Sequence, residues 1–291
     1  MNKVLIRLFF AIAIILVPGS RGASAKTEFI LFNTIESFSE EYKFESLSSF
    51  FISGEELYIA DNAGKRIYIF GIDGTPIFQF GKEKGLGRPI DLFVFEDRIY
   101  VSQQGKNTIE IFNIRGDRIG KIDPPPDGFM PDRMALMEDG GFLAVDKSTL
   151  KIYIFDKHGK YLYNFGGRDV FRSMGGIATK GDKIYVTVMD SHPLIRVFDT
   201  KGKYLTGFGE IGDSKELFSM PTGIKVDDQG AIWVVDAFRH TVAEFNQNGK
   251  RLDAFGGFGT LYYPISVDFK GDLFFVLDND KRRISVFKRE E

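Results

Sequence analysis

An all-β chain of repeated four-stranded units, closed into a ring, is the fold this sequence predicts. Three observations lead there. One phrase recurs along the chain, as "ELYIADNAGKRIYIFGIDGTPIFQFG" at 56–81, "GFLAVDKSTLKIYIFDKHGKYLYNFG" at 141–166 and "AIWVVDAFRHTVAEFNQNGKRLDAFG" at 231–256. One Phe marks its register, at Phe70, Phe112, Phe155, Phe198, Phe245 and Phe287, in steps of 42, 43, 43, 47 and 42 residues. Each phrase alternates apolar and other residues at period two and is punctuated by Gly and Asp, which reads as short strands joined by tight turns. A period of about 40–45 residues with several strands per repeat is that of propeller blades.

The strands follow in order. Ahead of each phrase stands a further strand, often opened by Pro: "LSSFFIS" from Leu47, "PIDLFVF", "MPDRMALM", "MGGIATK", "PTGIKVD" and "PISVDFK". Pro is tolerated at a strand's first residue because no ladder donor is lost there. This gives four strands per blade, a to d from the inside out. "DKHGK", "DTKGK" and "NQNGK" are turns between strands c and d. The sixth phrase, "DLFFVLDNDKRRISVFKREE", stops after strand c. The surplus strand is at the other end, "TEFILFNTI" at 27–35, and is expected to complete the sixth blade as strand d. Closure of that kind leaves no unpaired edge in the ring.

Residues 1–25 stand apart from the repeats. Lys3 and Arg7 precede an unbroken apolar run from Leu8 to Val17, which Pro18 and Gly19 break before Ala23-Ser24-Ala25. The run is short for a bilayer span, and the small residues suit cleavage, so a signal peptide cut after Ala25 is preferred to an uncleaved anchor. The expected domains are a signal peptide, 1–25, and one propeller, 26–291, in a periplasmic or secreted protein with no membrane span in the mature chain.

Composition narrows the function classes. The formal net charge of −2 becomes −5 once Lys3, Arg7 and Arg21 are removed, which argues against nucleic acid as a partner. The chain has no Cys, so it carries no disulfide, thiolate metal site or attached c-type haem. There is no P-loop, G-x-S-x-G or H-E-x-x-H motif.

"PTGIKVDDQGAIWVVDAFRHTVAEFNQNGKRLDAFG" and "LYIADNAGKRIYIFGIDG" resemble NHL repeats: a Pro-x-Gly-Ile strand, an apolar strand ending in Asp, a turn, an Arg/Lys-Ile-x-x-Phe strand and a closing Phe-Gly. The resemblance spans 27–291. Blade 2 departs most, with Gln103 where Asp61, Asp146, Asp236 and Asp278 stand elsewhere. WD40 repeats are disfavoured because Trp233 is the only Trp, and Kelch repeats because the glycine pairs at 166–167 and 256–257 follow strand d and read as turn glycines. The resemblance implies that the d–a connections and b–c turns share one face, the top, and that strand a lines the central channel.

On that geometry the residue two after each strand-a opening rings the channel near its top mouth: Ser49, Asp91, Arg133, Gly176, Gly223 and Ser266. Asp91 and Arg133 either neutralise each other as an ion pair or form a polar docking ring with Ser49 and Ser266. The recurrent Asp reads as a turn acceptor for b–c amides rather than as a ring of metal ligands. His192 and His240 fall in top-face turns of adjacent blades and His158 on the opposite face, so three His do not converge on zinc. His192 and His240 with Asp190 or Asp236 are weak metal candidates. The resemblance includes lyases with converging His and calcium-dependent lactonase-type enzymes with a Glu/Asn/Asp cluster, and neither set is matched here.

In this family one apolar residue before strand a packs between blades, which covers Phe129 and Phe218. Tyr262 and Tyr263 are consecutive, so at least one should face outward. Basic top-face residues, Arg66, Arg133, Arg172, Arg196 and Arg239, add charge complementarity. The function expected is a non-catalytic, monomeric binding propeller that offers this face to a protein or peptide and needs no cofactor. The alternative is a lyase or hydrolase holding calcium or zinc at the channel mouth.

Overall fold

The computed structural model describes residues 27–125, 128–189, 191–212, 214 and 217–290. They form six four-stranded antiparallel sheets arranged as a ring. Blade 1 is Leu47–Ser53, Glu56–Asp61, Arg66–Gly71 and Pro76–Gly81. Blades 2 and 3 run from Pro89–Phe95 to Arg118–Ile122 and from Pro131–Leu136 to Tyr161–Gly166. Blades 4 and 5 run from Ile177–Lys180 to Tyr204–Phe208 and from Pro221–Val226 to Arg251–Gly256. Blade 6 combines Pro264–Lys270, Leu273–Asp278 and Arg283–Glu290 with the N-terminal strand Glu28–Ile35.

The ring closes as the sequence predicts. Glu28–Ile35 pairs antiparallel with Arg283–Glu290, with Leu31 opposite Phe287 and Ile35 opposite Ile284. The proposed signal peptide lies outside the described residues. Among the described residues no helix is long and apolar enough to cross a membrane.

The core is distributed between blades. Each sheet alternates two apolar faces, so each blade–blade seam buries its own cluster. Phe70 and Phe275 meet between blades 6 and 1, and Trp233 and Phe274 between blades 5 and 6. All six register Phe residues are buried, which accounts for their spacing. Phe129, Phe171, Phe218 and Leu261, each just ahead of a strand a, are also buried and plug the top of the seams. The c–d turn glycines have a double reason. Gly202 turns the chain at φ 83°, and a Cβ there would lie 2.3 Å from the Phe165 ring of the preceding blade.

The small residues of the inner ring are required by close approach. A Cβ on Gly176 would lie 2.7 Å from the Thr222 carbonyl oxygen, and one on Gly223 would lie 2.6 Å from that of Ile265. Both obstacles are backbone of the next blade, so neither can swing aside. Gly223→Ala is therefore expected to cost about 1–3 kcal/mol through overpacking. Urea denaturation checks this, and an unchanged midpoint would show that the strands can part.

Candidate functional site

The recurrent carboxylate does more than close a turn. Asp236 accepts backbone N–H bonds from Ser219 at 2.7 Å and Met220 at 2.9 Å, in the connection entering its blade, and from Arg239 at 3.2 Å in its own b–c turn. Asp61 does the same with Glu45, Ser46 and Gly64, and Asp278 with Tyr262 and Tyr263. Gln103 fills the role in blade 2, accepting from Gly87 and donating to Glu110. Each carboxylate is a buried clamp that fixes a top-face connection. In blade 4 the place is held by Val188, fully buried and unable to accept a hydrogen bond. The connection at 167–176 is thus built without the clamp.

A second brace comes from the b–c turns and the first residues of strand c. Arg239 lies 3.6 Å from Asp236 and donates to the Gly212 carbonyl, and Arg283 donates to Thr260 at 2.8 Å. Arg196 donates to Ser191 at 2.9 Å and to the Val170 carbonyl, while Arg66 pairs with Glu83 at 3.6 Å. Arg66, Arg196 and Arg239 therefore hold connections in place and are not a free docking charge, contrary to the sequence reading. A side chain long enough to reach the neighbouring loop spends its donors there.

The six ring positions do line the channel, a cavity of about 220 Å³. Asp91 and Arg133 do not form a direct ion pair, however. Asp91 accepts from the Ser49 hydroxyl, from Leu92 N–H at 2.9 Å and from Met134 N–H at 2.7 Å, which ties three blades together. Arg133 donates instead to the Ser48 carbonyl at 2.9 Å. Burial pushes the Asp91 carboxyl above the ordinary range, against the opposing pull of Arg133 and of these hydrogen bonds. Ser266 lies in the channel wall.

One turn of side chains deeper is a pair that the sequence reading missed. Lys225 Nζ lies 2.7 Å from Asp268 Oδ2 and 5.4 Å from the centre of the Phe51 ring across the channel. At that strand-a position the other blades place Phe51, Phe93, Ala135 and Ala178. Two opposite charges on adjacent blades in an otherwise apolar ring were a legible signal.

His240 is committed to structure, with Nδ1 2.5 Å from the Tyr262 carbonyl oxygen and its ring edge-on to Phe258 at 5.4 Å. His192 is exposed. Asp190, the acid paired with them in the sequence reading, lies outside the described residues. Among the described residues no three His, Asp or Glu side chains gather as a metal site.

The larger cavity, about 520 Å³, opens on the top face over blades 3 and 4 and adjoins the channel through Arg133, Thr222 and Ile265. Arg133, Lys147, Arg168, Arg172 and one acid, Asp132, line it, together with Met174, Met189, Met220 and Tyr263. Its size falls within the range of ligand-binding clefts. Tyr263 reaches out of it to Phe238, ring centres 6.2 Å apart, and Phe238 is 59% exposed. Tyr262 turns away, under Lys281 at 3.8 Å and beside Phe258, which is 80% exposed. Of the eight docking residues expected from sequence, Arg133, Arg172 and Tyr263 meet in this cavity. Ser49, Asp91 and Ser266 sit in the channel, and Tyr262 and Arg239 lie apart.

No family model matches the sequence, and no curated protein matches it either. Solved structures do match in shape. A gluconolactonase from Xanthomonas campestris is 15% identical, with 85% of this chain and 87% of that one covered and a TM-score of 0.68. Virginiamycin B lyase from Staphylococcus aureus is 13% identical, over 90% of this chain and 99% of that one, with a TM-score of 0.61. The WD40 propeller domain of Doa1 is 17% identical, over 84% and 79%, with a TM-score of 0.59. Enzymes and a WD40 propeller thus share this architecture, and the likeness agrees with the fold that the sheet order shows: a six-bladed, four-stranded β-propeller closed by its N-terminal strand.

Proposed function

We propose that this chain is a non-catalytic recognition propeller that acts outside the cytoplasm as a monomer and binds a protein or peptide on its top face. The exposed aromatic rim beside the large cavity carries the reading: Phe238 and Tyr263 stand at its edge, and Phe258 and Tyr262 form a separate aromatic pair on the connection entering blade 6. Aromatics, Met and Arg around a concavity are the composition of interface centres, whereas isolated surface apolar residues are ordinary. The repeat motifs that resemble NHL propellers agree with a binding role, and the signal-like leader agrees with export. Asp91 and His240 are the groups a channel-mouth metal would draw on; both carboxylate oxygens of Asp91 and the Nδ1 of His240 are engaged by the protein itself.

The test is a pull-down from an extracytoplasmic extract with the wild type and with Phe238→Ala/Tyr263→Ala, matched for unfolding midpoint. At least one species retained by the wild type and lost by the double variant is expected. Equal retention by both proteins, or stoichiometric calcium or zinc in the purified wild type that Asp91→Ala removes, would overturn the proposal.

A further inference from the structure

The geometry points to an acidic segment of a partner polypeptide as the occupant of the top cavity, with its carboxylates over blade 3 and an apolar side chain toward blades 5 and 6. This rests on the recognition role proposed above and specifies the partner's chemistry.

Three observations support it. First, charge is concentrated here against the trend of the chain, whose formal net charge is negative. Among the described residues Lys147, Arg168 and Arg172 form no ion pair with a carboxylate, and Arg168 donates one bond, to the Ser148 carbonyl at 2.7 Å. Of the bracing arginines elsewhere on this face, Arg66, Arg239 and Arg283 each have one, and Arg196 is held by neutral acceptors alone. Guanidinium groups left in this state suit bidentate capture of carboxylates.

Second, the cavity has two halves. The cations come from blade 3 and the 167–176 connection. Met189, Met220 and Tyr263 come from the blade 4 turn and the connections entering blades 5 and 6. An occupant must therefore be anionic at one end and apolar at the other. Thioethers adapt their shape to varied apolar side chains, which suits a peptide better than a single rigid ligand. The exposed rim from Tyr263 to Phe238 extends the apolar half beyond the cavity, as a chain continuing past its anchor requires.

Third, Arg168 and Arg172 stand on the connection that loses its polar clamp outright, to Val188, whereas blade 2 keeps one in Gln103. Among the described residues Asp132 is the one acid of the cavity lining, against Arg133, Lys147, Arg168 and Arg172.

The experiment is selection of a random dodecapeptide display library on the full-length protein, followed by fluorescence anisotropy on the most enriched peptide. Peptides with two or more Asp or Glu beside a Leu, Phe or Met are expected. The dissociation constant should rise at least tenfold for Arg168→Ala/Arg172→Ala, and similarly when the peptide's Glu are changed to Gln. The Arg168→Lys/Arg172→Lys variant should recover part of the affinity, since an ammonium restores the charge but not the bidentate fork, which separates lost charge from a disturbed loop. Raising the salt should weaken binding, as screening of these partly exposed charges requires. Enrichment of neutral or basic peptides would overturn the acidic-segment inference and leave the recognition role standing. Displacement of the peptide by equimolar inorganic phosphate would overturn it in favour of a free anion. No enrichment of any peptide would overturn both.

Discussion

A chain shortened to begin at Glu36 is expected to lose its cooperative unfolding transition and to aggregate. Residues 28–35 supply more than one strand of hydrogen bonds. Phe29 stacks on Phe255 at 4.4 Å and meets Trp233 and Phe274 edge-on at 6.0 and 5.2 Å, so it sits in the blade 5–6 seam. Ile35 is buried in the seam between blades 6 and 1. Removing the strand uncovers both seams and leaves the Arg283–Glu290 edge open to pairing with other chains. With no disulfide to hold the ring, nothing covalent compensates. Phe29→Ala in the intact chain isolates the packing contribution, expected at about 3 kcal/mol. Chemical denaturation and light scattering read both variants. A shortened chain that keeps the wild-type midpoint would mean that the ring does not depend on its closure. Addition of a synthetic 27–36 peptide should restore the transition.

The second large effect belongs to Asp91. Asp91→Ala is expected to destabilise the fold by about 3 kcal/mol or more, because it orphans the Ser49 hydroxyl and the Leu92 and Met134 amides, at about 1–3 kcal/mol for each buried unsatisfied donor. Asp91→Asn tests its titration. Burial raises this carboxyl in the folded state, so the native protein holds the proton more tightly than the unfolded chain does. The contribution is fully present below the unfolded pKa of about 4 and is lost as pH rises through the raised value. Denaturation midpoints should therefore fall more steeply with rising pH in the wild type than in Asp91→Asn. Parallel profiles would show that the group does not titrate differently on folding.

Much of the architecture was legible because it is periodic. The Phe70-to-Phe287 register, the Pro at strand openings and the truncated sixth phrase together specify blade number, strand order and the pairing of 28–35. The inner ring was legible for the same reason, since a fixed offset from each strand opening selects residues that face the axis. The cavity was less so. Arg168 and Met189 lie in connections of unequal length, where no repeat predicts which side chains meet. Arg239 looked like a free surface charge because its partners, Asp236 and Gly212, become neighbours only once the clamp has folded the loop. Lys225 and Asp268 were overlooked although the offset that found Asp91 would have found them two residues further along.

The shared sheet of the two chain ends also governs how the molecule can be held. Glu28 sits opposite Glu290, and by strand direction both lie on the underside of the disc. A tag, dye or surface linker joined directly before Glu28 or after Glu290 departs from one point on the rim and turns the cavity outward, so protein immobilised there should keep full access to soluble molecules.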